Sequence, residues 1–285
     1  MRGTPEMICR TFAVMAYDDY SCLRISVEGG IARATIDHPP INLLDLALII
    51  ELDRFGREVE VDDSIRVLIL DSADPEFFAA HADVTLIQAL PTDDTARHSE
   101  LGGFHAMVDR FRTMPKATIV ILEGIARGGG SELALSFDMR FAAIGRAILA
   151  QPEVAVGIIP GGSGTQRLHR LVGRARALEI VLGCDDIDAD TAAHWGYVNR
   201  ALPDGELRPY VNALAARIAS FPAEAIARAK TAVDAALPDP TEGLLTEDQL
   251  FRASLSDPEA HSRMAAFLNL GGQTREVELR GFPTQ

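Results

Sequence analysis

The sequence predicts an α/β fold that ends in an all-helical region. A buried strand, a tight turn of small residues and a helix follow one another twice, in residues 67–90 and in residues 118–137. Strands that alternate with helices favour a layered α/β architecture. Beyond a composition shift at residues 203–206, every periodic segment is helical. We therefore divide the 285 residues, enough for one large core, into an N-terminal extension (1–22), an α/β core (23–205) and a helical region (206–285).

The N-terminal part of the chain predicts an extension, a hairpin and a helix. Glu6 and Arg10 interrupt the apolar piece of the extension, which favours a cytoplasmic segment over the alternative, a secretory signal peptide. Residues 23–28 and 31–37 alternate in polarity around Gly29-Gly30, and this pattern predicts a β-hairpin. Apolar residues at helical spacing then predict an amphipathic helix over residues 44–61.

The first strand–turn–helix unit begins with the apolar strand 66–70. A polar turn leads to the small-residue segment 77–83, where Asp83 is a suitable N-cap for a helix that runs to Leu90. The polar segment 91–104 that follows is either solvated surface or a cover over a ligand. A helix is predicted from Phe104 until just before Pro115.

The second unit carries the clearest signal of function. A short β-branched strand, 118–122, precedes Gly128-Gly129-Gly130 and a largely apolar helix, 131–137. Consecutive glycines let the backbone approach a ligand, and the helix start offers free N–H groups, so the turn suits an anion or oxyanion. Glu132 in this helix would cost several kcal/mol unless it is hydrogen-bonded or used in function. The alternative is that the glycines only permit tight packing and that Glu132 faces the helix dipole.

A second carboxylate, Glu153, stands between apolar runs after short strands predicted at 139–143 and 147–149. It is either a site residue, like Glu132, or an ordinary glutamate of a surface turn. The remaining periodic segments predict helices at 166–171, 175–182, 190–194, 207–219, 223–237, 242–254 and 258–268.

Composition excludes several classes of function. The net charge of −14 and the lack of any basic run argue against nucleic-acid binding. No run of 18 apolar residues predicts a membrane span. Three widely spaced cysteines indicate a reducing, cytoplasmic setting without disulfides or a metal site. Because Lys116 and Lys230 are the only lysines, an anionic ligand would have to be bound by arginines or by backbone N–H groups.

Three motifs together resemble the enoyl-CoA hydratase/isomerase family, or crotonase superfamily, over about residues 23–270. They are Phe78-Ala79-Ala80-His81-Ala82-Asp83, the segment Gly128–Ala134, and Gln151-Pro152-Glu153 with the segment Ile159–Leu168. The resemblance implies a spiral of repeated ββα units, with a helical C-terminal region that forms trimers, usually paired into hexamers. The implied substrate is an acyl-CoA thioester, and coenzyme A enters only as part of it, with no metal or other cofactor.

The resemblance also assigns roles to residues. The backbone N–H groups of Ala82 and Gly129 would form an oxyanion hole for the thioester carbonyl. Glu132 would activate the water that attacks the β-carbon of a trans-2-enoyl-CoA, and Glu153 would protonate the α-carbon to give the 3-hydroxyacyl-CoA. The implied substrate-binding residues are Ala80, His81, Asp83, Gly128 and Gly161.

This chain departs from the family pattern at two positions. His81 stands where the family usually has glycine, and its ring either packs away from the pocket or enters it. The lysine that commonly follows the aspartate and contacts coenzyme A is missing from Val84-Thr85-Leu86. Other crotonase reactions, such as double-bond isomerisation or a carbon–carbon bond step, and a non-catalytic scaffold therefore remain alternatives to hydration.

Overall fold

The computed structural model describes residues 17–93 and 96–282. Most of the predicted N-terminal extension therefore lies outside the described residues, as do Cys9 and the two residues 94–95 of the polar segment. Within the described part, Tyr17 and Tyr20 pack edge-on against Phe55, so the segment just before the first strand lies on the core.

In the residues that the structure describes, ten strands form two sheets. They are β1 (Leu23–Glu28), β2 (Ile31–Ile36), β3 (Val67–Ser72), β4 (Phe77–Ala79), β5 (Ala117–Leu122), β6 (Ile125–Arg127), β7 (Met139–Ala143), β8 (Ile148–Ala150), β9 (Ile187–Asp188) and β10 (Arg200–Leu202). The larger sheet has the order β1-β2-β3-β5-β7-β10, and only its β1–β2 hairpin is antiparallel. The smaller sheet has the order β4-β6-β8-β9, with β9 antiparallel.

Eleven helices lie in the described residues. They are α1 (Leu46–Val61), α2 (Val84–Gln88), α3 (Gly103–Thr113), α4 (Gly129–Leu135), α5 (Gly164–Gly183), α6 (Ala189–Trp195), α7 (Asp204–Ala219), α8 (Ala223–Asp234), α9 (Thr241–Leu255), α10 (Pro258–Asn269) and α11 (Arg275–Glu278). A 3-10 helix spans Glu153–Val156.

The strands show the repeat that the resemblance implied. Three times the chain makes a strand of the larger sheet, then a strand of the smaller sheet, then a helix: β3-β4-α2, β5-β6-α4 and β7-β8 with the 3-10 helix. The order β3-β5-β7 in one sheet matches β4-β6-β8 in the other, so each unit stacks beside the previous one. The predicted α/β fold of repeated ββα units is confirmed.

Two local predictions need correction. The helices predicted at 166–171 and 175–182 are one element, α5, with a break at Gly173, whose φ of 79° is not helical. No strand was predicted for β4, β6, β9 or β10 either, because two or three residues are too few to show an alternating pattern.

The C-terminal helices differ in what they cover. Helix α7 packs on one face of the larger sheet through Leu207, Val211 and Ala215. Helices α9 and α10 instead return to α5, α2 and the 3-10 helix, and α8 has no buried residue. None of the helices in the described part of the chain is both long and apolar enough to cross a membrane.

Candidate active site

The turn between β6 and α4 is built from glycine because other backbones and side chains approach it closely. Gly128 has φ +47°, and a Cβ there would lie 2.8 Å from Oε1 of Glu153. A Cβ on Gly130 would overlap the carbonyl oxygen of Ala79 in β4. The glycines therefore serve packing as well as the turn, and they bring α4 directly against the first ββα unit.

The two predicted turns meet at Ala82 and Gly129. A Cβ on Gly129 would lie 3.3 Å from the backbone nitrogen of Ala82, so the two segments touch. Leu44 pairs with the first turn from the other side, donating to His81 O and accepting from Asp83 N. Among the described residues, neither the Ala82 N–H nor the Gly129 N–H has a protein acceptor. Two adjacent amides are thus available to an oxygen atom of a ligand.

Glu132 lies in the first turn of α4 and is 3% exposed. Its Oε1 accepts hydrogen bonds from the backbone N–H groups of Gly162 and Gly164, each at 2.7 Å. These donors belong to the turn that leads into α5. The carboxylate is therefore held by main-chain groups and has little freedom to reorient.

Glu153 opens the 3-10 helix and has a different environment. Its Oε2 is buried without a hydrogen-bond partner among the described residues, and the same is true of both amide atoms of Gln151. Leaving a buried polar atom unsatisfied costs about 1–3 kcal/mol, so these groups suit a polar ligand that reaches them. A Cβ on Gly164 would lie 2.8 Å from Oε1 of Gln151 and 2.8 Å from Oε1 of Glu132, so the Gln151 amide lies near the Glu132 carboxylate.

The two carboxylates affect each other's ionisation. Burial, and then the charge of Glu247, raise the pKa of Glu132 to about 7, against the opposing effect of the two glycine amides. Burial, and then the charge of Glu132, raise the pKa of Glu153 well above its usual value. Because Glu132 has the hydrogen-bond donors, it is the better site for the negative charge, and Glu153 is the better site for the proton.

Three of the predicted substrate-binding residues support the turns. Ala80 is fully buried and uses both backbone groups within the protein, donating to Ile41 O and accepting from Arg127 N. Asp83 caps α2, as predicted, by accepting from Thr85 N at 2.8 Å. A Cβ on Gly161 would lie 2.5 Å from the ring of Phe251 in α9.

His81 packs away from the two free amides, which decides between its two interpretations. Its ring lies edge-on to Phe267 and Phe282. Nδ1 donates to Ala82 O at 2.8 Å, and Nε2 lies 3.1 Å from Oε1 of Glu278. Its φ is not positive, so this turn does not require glycine here.

The segment Val84-Thr85-Leu86, which has no lysine, forms the start of α2. Gln273 binds this end of the helix. Its Oε1 accepts from Val84 N at 2.6 Å, and its Nε2 donates to Asp83 at 3.0 Å.

Sequence reasoning missed His105 and Glu247, two buried residues near Glu132. Oε1 of Glu247 lies 3.0 Å from Nε2 of His105, and the Glu247 side chain is fully buried. One signal was available, because Glu247 falls at helical spacing on the stripe of Leu244 and Phe251. A charge on the apolar face of a helix indicates a buried partner.

The fold consists of repeated ββα units, and the turns of two of these units meet at the site. This is the architecture of the crotonase superfamily, which is the class of protein that the fold and the site define. A sequence model of the enoyl-CoA hydratase/isomerase family matches residues 26–272. The chain belongs to this family.

Known relatives resemble this chain over most of their length. The short-chain-enoyl-CoA hydratase of Clostridium acetobutylicum is 32% identical over 253 residues, which cover 88% of this chain and 94% of the relative. The crotonyl-CoA hydratase of Syntrophomonas wolfei is 32% identical over 256 residues, or 89% of this chain and 96% of the relative. A solved protein of Streptomyces avermitilis matches with a TM-score of 0.84 and 42% identity, covering 93% of this chain and 99% of that one.

Proposed function

We propose that this protein hydrates a trans-2-enoyl-CoA to the 3-hydroxyacyl-CoA. The observation that carries the proposal is the pairing of two buried carboxylates with unlike surroundings beside two free amides. Glu132 has two hydrogen-bond donors, and Oε2 of Glu153 has no partner in the part of the chain that the structure describes. Relatives named short-chain-enoyl-CoA hydratase and crotonyl-CoA hydratase support the same reaction.

The proposed mechanism assigns one task to each group. The amides of Ala82 and Gly129 donate to the thioester oxygen, on which negative charge grows as the enolate forms. Glu132, ionised near neutral pH, accepts a proton from the water that attacks the β-carbon. Glu153, whose raised pKa keeps it protonated, delivers a proton to the α-carbon. No other cofactor is needed, because the thioester itself stabilises the carbanion.

Replacing either carboxylate tests the proposal. Glu132→Gln and Glu153→Gln keep the shape of the side chains but cannot transfer these protons. We expect each to lower kcat for crotonyl-CoA hydration by a factor of about 100 to 10,000. The loss of absorbance of the enoyl thioester measures the rate, and chromatography of the products identifies the reaction.

The matched control is Glu259→Gln, at an exposed position of α10 where the carboxylate pairs with Arg263. It should leave kcat unchanged. Near-normal hydration by Glu132→Gln or Glu153→Gln would reject the assignment. A shifted double bond in place of a 3-hydroxyacyl product would favour isomerisation.

We also propose that copies of the chain assemble into a trimer or hexamer through the helical region. Helix α8 buries none of its residues, and Phe221, Val233 and Leu237 are 45%, 71% and 53% exposed. They border an open groove of about 1190 Å³ between α8 and α5, and a second copy of the chain could cover both.

Light scattering tests this assembly by measuring the mass in solution. Val233→Asp should lower the mass towards that of one chain, because it places a charge in the proposed interface. Ile50→Asp, at an exposed apolar position of α1, is the control and should leave the mass unchanged. A wild-type mass of one chain would contradict the proposal.

A further inference from the structure

The turn at residues 162–165 points consecutive amides in opposite directions. The N–H groups of Gly162 and Gly164 donate to Glu132. The N–H groups of Ser163 and Thr165 donate instead to Glu247 of α9, at 2.5 and 2.9 Å. One short segment therefore connects the candidate catalytic carboxylate with a carboxylate from the C-terminal helices.

This arrangement depends on a backbone conformation that the sequence does not favour. Ser163 has φ 94° and ψ 0°, in the left-handed region that costs a non-glycine residue about 1–3 kcal/mol. Such a residue persists only when its surroundings hold it. Glu247 holds its N–H, and Arg167 donates from Nε to the Ser163 hydroxyl at 2.7 Å.

Glu247 is itself fixed on all sides. Its Oε2 accepts from the hydroxyl of Thr165 as well as from the Thr165 N–H. Its Oε1 accepts from His105 of α3 at 3.0 Å. His105 and Glu247 are 3% and 1% exposed, and neither has a role in the proposed mechanism.

We propose that Glu247, held by His105, is a positioning residue that keeps the 162–165 turn in the conformation that aims the Gly162 and Gly164 amides at Glu132. The role rests on the proposed hydration, since it is defined by what Glu132 does. Glu247 would contact neither substrate nor water.

The charges around this pair are consistent with the role. Burial lowers the pKa of His105, but the hydrogen bond and charge of Glu247 outweigh burial and raise it, which favours an imidazolium–carboxylate pair. The two members of the pair act in opposite directions on Glu132: the charge of Glu247 raises the pKa of Glu132, and the smaller effect of His105 lowers it. Other ionisable groups that interact with these three side chains are Glu153, Arg167, Tyr197 and Asp248.

Steady-state kinetics with crotonyl-CoA provide the first test. Glu247→Gln keeps the size of the side chain but cannot accept all the hydrogen bonds of the turn, because its amide group is a donor. We expect kcat to fall about 100-fold while KM changes by less than about threefold. His105→Gln still donates to Glu247, so its kcat should stay within about tenfold of wild type. Glu242→Gln, at an exposed position of α9, is the control and should match wild type.

The second test does not depend on activity. The amide signals of Gly162 and Gly164 are observed by NMR after selective ¹⁵N-glycine labelling. In the wild type we expect both protons at low field, exchanging slowly and titrating with Glu132, because they donate to a carboxylate. In Glu247→Gln both should move upfield and exchange at least tenfold faster. In His105→Gln the low-field positions should remain, and the midpoint of the titration should move to higher pH.

The outcomes separate the two proposals. An unchanged kcat, or a folded Glu247→Gln whose Gly162 and Gly164 signals match wild type, would overturn the positioning role. If Glu247→Gln does not fold, Glu247→Asp keeps the charge and shortens its reach, and unchanged glycine signals there would overturn the role equally. If the wild type hydrates no enoyl-CoA while the signals shift as expected, the proposed function fails, and only the structural part of the inference stands, namely that Glu247 orients the Gly162 and Gly164 amides.

Discussion

Glu132 and Glu153 show how two identical side chains obtain different chemistry from their surroundings. Two main-chain amides stabilise the charged form of Glu132. In contrast, burial and a neighbouring negative charge both disfavour ionisation of Glu153. Two neighbouring carboxyl groups that are buried cannot both ionise easily. The proton therefore belongs to Glu153 and the charge to Glu132, as the proposed reaction requires.

The raised pKa of Glu132 makes a prediction about stability. Its pKa rises from 4.5 to about 7 on folding, so the folded state binds more protons than the unfolded state between these pH values. The contribution of Glu132 to the free energy of unfolding is therefore fully present below pH 4.5, and this contribution is lost as the pH rises through 7. At about 1.4 kcal/mol for each pKa unit, the cost to the wild type at pH 8 is about 3 kcal/mol.

Glu132→Gln should remove this cost, because an amide accepts the two glycine hydrogen bonds without a charge. We expect the variant to unfold in urea with a free energy about 3 kcal/mol above wild type at pH 8, with the gap narrowing at pH 5. Glu242→Gln serves as the control and should follow wild type at both pH values. A gap that is the same at pH 5 and pH 8 would contradict the assigned ionisation.

At the scale of elements, the site depends on how closely α4 approaches β4. Gly130→Ala places a methyl group on the carbonyl oxygen of Ala79, and a backbone atom cannot move aside as a flexible side chain can. We expect a loss of roughly 3 kcal/mol in the free energy of unfolding, together with loss of activity, because α4 carries Glu132 and Gly129. Thermal and urea unfolding measure the first effect, and crotonyl-CoA hydration the second.

Gly183→Ala is the matched control for this substitution. Gly183 is the last residue of α5, and a Cβ there would meet nothing within 4 Å. Alanine should leave activity intact and raise stability by about 0.5 kcal/mol, since it reduces the entropy of the unfolded chain. Equal effects of the two substitutions would show that the contact between α4 and β4 is not tight.

The elements also explain which parts of the fold were predictable. The strands β3 and β5 are short apolar runs before small-residue turns, so sequence alone predicts both them and the helices that follow. Strand β6 has three residues, and its pairing with β4 and β8 makes it a strand. This strand forms because the repeats stack, and the local sequence pattern does not predict it.

For the whole molecule, the C-terminal segment is bound back to the first turn. Glu278 is fully buried, lies 3.4 Å from a guanidinium nitrogen of Arg127 and contacts the ring of His81. Arg127 is also bound by Asp186 through two hydrogen bonds of 2.7 Å. Through His81, which donates to Ala82 O, the last helix braces the turn that holds one of the two free amides.

Removing this carboxylate should therefore destabilise the protein. Glu278→Leu leaves a buried guanidinium and a buried imidazole without one of their acceptors, and we expect a loss of about 3 kcal/mol in the free energy of unfolding. Glu276→Leu, two residues earlier at an exposed position paired with exposed Arg280, should stay within about 0.5 kcal/mol of wild type. Urea unfolding compares the two, and similar losses would contradict the buried network.

The sequence by itself determined the class of fold, the two glycine-rich or small-residue turns, and Glu132 and Glu153 as the carboxylates of interest. These features are local, since a strand, a tight turn and a charge among apolar residues can each be recognised in a segment of about ten residues. The tertiary structure alone decided that His81 packs against α10 and α11, and that His105 and Glu247 lie beside Glu132. The reason is distance along the chain. Glu247 accepts a hydrogen bond from the Ser163 N–H, although the two residues are 84 positions apart in the sequence. Contacts between residues so far apart are decided by how the repeats and helices stack.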